Sequence, residues 1–110
     1  MIMTLPSATS QTVTLSSPLT IRTVEATKDV ILAGFSATGS LIVDVPDDAE
    51  CDLSFVQLME SARMLAQTDG KDFTLQRPAS GGLLSVLERG GFLTETDPSD
   101  RFFWLHERQL

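Results

Sequence analysis

The chain holds 110 residues, 42% of them hydrophobic, with 15 acidic against 8 basic side chains and a formal charge of −7. That length suits one domain with one core, burying about two-thirds of the surface that the unfolded chain exposes. An acidic surface repels phosphate backbones and anionic lipid heads, so nucleic acid and membrane surfaces are excluded as expected partners. Cys51 is the single cysteine, which rules out an internal disulfide and gives no sign of secretion. The start, Met1 to Pro6, lacks the basic patch and apolar stretch of a signal peptide, and no apolar run approaches the ~18 residues of a membrane span. The expectation is a bacterial cytoplasmic protein with no membrane insertion.

In chain order, residues 1–10 are rich in Ser, Thr and Pro and read as a flexible N-terminal tail, leaving 11–110 as the folded domain. Thr12 to Leu15 alternates polar and apolar as a short strand does, and Leu19 to Ile21 is a second candidate. Thr23 is placed to cap a helix running to about Ser36, with Val24, Ile31 and Phe35 at helical spacing and Gly39 closing the segment. Leu41 to Val45, apolar at almost every position and bounded by Gly39 and Pro46, has the pattern of a buried central strand. Asp52 caps a predicted helix from Leu53 to Thr68, which Gly70 ends. Phe73 and Leu75 alternate in a further strand stopped by Pro78. Ser80 then opens a short helix carrying Leu83, Leu84 and Leu87, and Gly90 ends it. Arg101 to Leu105 reads as a final edge strand. Strands alternating with helices predict an α/β domain with a mixed sheet of four to five strands and helices mainly on one face.

The helix after Asp52 has two sides. At about 100° per residue, Phe55, Leu58, Met59, Ala62, Leu65 and Ala66 gather as a core stripe. Leu53, Val56 and Met64 fall opposite, interleaved with Gln57, Glu60 and Arg63. Apolar residues on an expected solvent face suggest a contact surface, here Leu53, Ser54, Val56, Gln57, Glu60 and Met64. The alternatives are that the C-terminal segment folds over them, or that they are scattered surface residues.

Val43-Asp44-Val45, Cys51-Asp52-Leu53-Ser54-Phe55-Val56-Gln57-Leu58, Asp69-Gly70-Lys71, Pro78-Ala79-Ser80 and the run from Leu83 to Phe92 together resemble the STAS domain family. The resemblance spans roughly Val13 to Leu93, and it rests on the succession of these motifs rather than on any one. It implies a non-enzymatic regulatory adaptor, similar to anti-sigma-factor antagonists and to stand-alone members serving chemotaxis and lipid transport. Its partner would be an anti-sigma kinase, a chemotaxis kinase module or a transporter ATPase, bound at the start of the helix after Asp52. Family antagonists carry Asp-Ser-Ser-Gly-Leu or Asp-Thr-Ala-Gly-Leu, in which the hydroxyl residue after Asp is phosphorylated. Here Asp52 matches the Asp, but Leu53 stands at the phosphoacceptor position and Phe55 at the glycine. Ser54 is the remaining candidate phosphosite, and its place at a helix start predicts a structural role instead. Self-association as a homodimer stays open.

Other chemistry finds little support. Asp44, Asp47, Asp48, Glu50 and Asp52 form a carboxylate-rich stretch that could hold Mg²⁺, so a metal-dependent phosphoryl acceptor using Asp44 and Asp52 is an alternative. A solvated loop with Asp52 as a cap is the simpler account, and no metal site is expected. A small-ligand or nucleotide-binding domain is the other alternative. His106 is the single histidine and Cys51 lies between acidic neighbours, so neither is expected to catalyse. Gly81-Gly82 has no phosphate-loop lysine beside it, and no cofactor is expected.

Overall fold

The computed structural model describes residues 10–94 and 98–107. In chain order the elements are β1 (Ser10–Thr14), α1 (Val24–Ala37), β2 (Ser40–Asp44), α2 (Leu53–Thr68), β3 (Asp72–Leu75), α3 (Gly81–Arg89) and α4 (Pro98–Leu105). Apart from Ser10, which opens β1, the tail expected over 1–10 lies outside the described residues.

Three strands form the sheet among the described residues, in the order β1-β2-β3, and both pairs run parallel. This corrects the expected mixed sheet of four to five strands. Two expected strands account for the shortfall. Leu19 makes only an isolated bridge to Cys51, because the chain turns into α1 immediately afterwards. Arg101 to Leu105 is the last part of α4 instead of an edge strand. Phe103 and Trp104, adjacent in sequence, are both buried while Phe102 is 45% exposed, a pattern that a strand's alternation does not produce. The overlooked signal was Pro98-Ser99-Asp100, a proline at the first helical position with a carboxylate in the first turn.

Successive parallel strands are joined by α1 and α2, and the right-handed crossover puts both helices on one face of the sheet. Parallel register sets Gln11, Leu41 and Phe73 in one row and Val13, Val43 and Leu75 in the next. Leu41 and Val43 on the middle strand are fully buried there, under Ile31 and Phe35 of α1 and Phe55, Met59 and Ala62 of α2. The opposite row, Thr12, Ile42 and Thr74, is exposed to half-buried. Gly34 of α1 sits where a Cβ would press on Leu41, so the helix approaches β2 closely because that residue is glycine.

The core stripe of α2 is rotated from the expected one. Phe55, Met59, Ala62 and Ala66 are buried as predicted. Leu58 is only partly buried, Leu65 is 38% exposed, and Val56 is fully enclosed. A second layer causes the rotation: α3 packs on α2, while α4 closes over its Glu60–Arg63 flank. Phe103 stacks on Phe73 with ring centroids 5.7 Å apart, and the Arg63 guanidinium lies 4.6 Å from the Phe103 ring centre. The Trp104 indole donates to Glu60 at 3.0 Å, and Arg63 pairs with Asp100 at 2.8 Å. Burying an indole of this size is worth several kcal/mol, at ~25 cal/mol per Å² over roughly 150–250 Å².

Candidate functional site

The loops that leave the three strands at their C-terminal ends meet beside the start of α2, the usual place for function in an open parallel sheet. Two anchors fix them. The first is Asp52, held extended so that one carboxylate oxygen accepts the Ser54 amide at 3.0 Å and the other accepts the Ile21 amide at 2.9 Å. The Ser54 hydroxyl also donates to Asp52. Backbone bonds from Leu19 N to Glu50 O (2.7 Å) and from Asp52 N to Leu19 O (3.2 Å) zip the loop after β1 onto the loop after β2. The Ser54 hydroxyl, followed by the amides of Ile21, Ser54 and Phe55, holds the Asp52 carboxyl below its ordinary range.

Arg77 is the second anchor, and composition gave no hint of it because the carboxylate-rich stretch contains no base. Its guanidinium donates to Asp44 at 2.9 Å, to both Asp47 oxygens at 3.1 Å and to the Val45 carbonyl at 3.0 Å. Ser80, expected as a helix cap, makes no capping bond; its hydroxyl donates to Asp47 at 2.7 Å. Ser80 first and Arg77 second hold the Asp47 carboxyl below its ordinary range. Parallel pairing of Val43 with Leu75 places residues 44–47 beside 76–80, so the topology brings Arg77 and Ser80 to these carboxylates. Gly81, at φ +54°, has the Asp47 carbonyl where its Cβ would stand, and Gly82 has the Ala49 carbonyl in the same position. The glycine pair therefore seats the 47–49 loop on α3.

With these partners Asp44, Asp47 and Asp52 serve as struts between loops. Among the described residues, no three His, Cys, Asp or Glu side chains come together as a cation site. Cys51 is half-buried and its thiol is pushed up to about 11, chiefly by burial and then by Asp52 and Glu50, so it stays protonated at neutral pH. His106 ends α4 and its Nε2 lies 3.1 Å from the Leu75 carbonyl.

The predicted contact residues separate into two groups. Leu53 is 47% exposed and Met64 is 68% exposed; with exposed Gln57 between them they form one outward stripe of α2. Val56 and Glu60 do not belong to it. Val56 is fully buried, so the expectation that it meets a partner is corrected, while the part-exposed Glu60 is bound to Arg63 and Trp104. Ser54 is half-buried and bonded to Asp52. Ile21, expected within a short strand, is 67% exposed and is tied through its amide to Asp52, one residue before Leu53.

Among the described residues, no helix is long and apolar enough to cross a membrane. The chain matches no family model, no curated protein and no solved structure.

Proposed function

We propose that this protein is a non-enzymatic, cytoplasmic regulatory adaptor of the kind the STAS resemblance implies, and that it binds a partner protein at the start and outer stripe of α2. The partner would be an anti-sigma kinase, a chemotaxis kinase module or a transporter ATPase. One observation carries the reading: Ile21, Leu53 and Met64, three large apolar side chains, stand exposed at and along this helix. Apolar anchors with a polar rim, here Gln57 and Ser61, suit a modest and reversible interface. Ser54 serves as a structural part of the Asp52 cap in this account. A phosphoryl group on it would abut the carboxylate its hydroxyl now touches, at a like-charge cost.

The test is titration calorimetry of the full chain against those three partner classes from the same cell. A double Leu53→Asp, Met64→Asp change should weaken binding by roughly a hundredfold, as loss of two anchors worth ~1–2 kcal/mol each does. Its urea midpoint should stay where it was. Undiminished binding by the double variant, or no binding by the parent chain to any of the three, would refute the assignment.

A further inference from the structure

A second surface lies away from the start of α2, along the free edge of β3. The strand order makes β3 an edge strand among the described residues. Its hydrogen bonds reveal which groups face outward. Asp72 N donates to Gly39 O and Gln76 N to Val43 O, so the even-numbered residues of this strand point their amides at β2. Parallel alternation then turns the amide and carbonyl of Phe73, and those of Leu75, away from the sheet. The His106 ring nitrogen found on the Leu75 carbonyl fits that geometry. At Phe73 no described residue stands opposite in the same way.

The outward groups face a cleft of about 700 Å³. Five consecutive residues, Lys71 to Leu75, form one wall, so the cleft follows the strand. At ~3.3 Å per residue that wall is about 13 Å long, the span of four to five residues of extended chain. Phe102 and His106 of the α4 segment, their rings stacked 6.3 Å apart, form the other wall. Charge in the cleft runs against that of the whole chain. Two basic side chains, Arg63 and Lys71, line it beside a single carboxylate, Asp72. Arg63 is paired with Glu60 and Asp100. Lys71 binds the Phe35 carbonyl and ring and has no carboxylate partner among the described residues.

We propose that this edge docks an extended, acidic peptide segment of a partner protein, which joins the sheet by pairing its backbone with Phe73. Backbone pairing supplies attachment and Lys71 selects a carboxylate. A second copy fits less well. Two-fold pairing of β3 with itself about Phe73 would be antiparallel and would set Leu75 opposite Lys71, supplying no carboxylate. The site does not depend on the adaptor reading of α2.

The probes are three capped pentapeptides: Thr-Ile-Glu-Val-Thr, its Glu→Lys counterpart, and a version N-methylated at the central residue. Each is titrated into isotope-labelled full-length chain while backbone amides are followed by NMR. The acidic peptide should shift the Phe73 and Leu75 amides and slow exchange at Phe73. N-methylation should weaken it roughly fivefold by removing one backbone bond, and the Lys counterpart should bind about threefold more weakly. Lys71→Ala should equalise the acidic and basic peptides, a readout that compares ligands on one protein and so survives some loss of stability. Three results would overturn the proposal: shifts confined to other elements, equal binding of the N-methylated peptide, or slow exchange at Phe73 in the free chain. Shifts at the same amides on concentrating the chain alone would assign the edge to a second copy, and would overturn it too.

Discussion

Val56 and Leu53 stand one helical turn apart on α2, equally apolar, and meet opposite fates: Val56 is sealed in the core while Leu53 is half exposed. The difference comes from neighbours that are remote in sequence. On the Val56–Glu60 flank, α3 and α4 close over the helix, with Trp104 docking its indole on Glu60 and Phe103 beneath Arg63. On the Leu53–Gln57–Met64 stripe no comparable cover is present among the described residues. A helix therefore cannot be divided into core and contact faces from its own periodicity when a later segment returns to it.

The sharpest way to break this contrast is to place one charge on each flank. Val56→Asp buries an uncompensated carboxylate and should cost more than about 4 kcal/mol, enough to unfold a marginal domain; circular dichroism with urea titration measures it. Trp104→Ala should cost about 3–5 kcal/mol, because the cavity falls where α4 joins α2. Glu60→Ala removes the acceptor of the buried indole N–H and should cost about 1–3 kcal/mol. If Glu60→Ala proved neutral, α4 would not be held on α2 by this bond.

The capped end of the helix offers a pH test. Asp47 and Asp52 have folded values below the ordinary 3.8, so the fold binds fewer protons there than the unfolded chain. Their contribution is fully present above 3.8 and is lost as pH falls through the lower folded values. Asp52→Asn should flatten this acid limb in urea midpoints measured across it. Least affected should be the outer stripe, where Leu53→Asp and Met64→Asp each stay within about ±0.5 kcal/mol.

Much of the fold was legible because the signals are local. Asp52 before an apolar run marked the start of α2 to the residue, and its side chain does cap the Ser54 amide. The β-branched run bounded by Gly39 and Pro46 marked β2 as the buried middle strand. Thr23 and Ser80 show the limit of the same reasoning. Each stands at the cap position of its helix, yet Thr23 donates to the Pro18 carbonyl at 2.7 Å and Ser80 to Asp47, since a nearby loop offers a better acceptor.

The candidate surface divides along the same line. Apolar spacing and the STAS resemblance singled out the helix after Asp52, and Leu53, Gln57 and Met64 lie exposed on it. Ile21 reached that surface only because its amide meets Asp52 from 31 residues away. Arg77 met Asp44 and Asp47 because β2 and β3 run parallel, and Phe103 and Trp104 covered Val56's flank because their segment coiled into a helix. The Asp52 cap and the apolar run of β2 depend on interactions within a few residues, so the amino-acid sequence determined them by itself. Which apolar side chains are covered depends on what packs across the fold, and only the tertiary structure decided that.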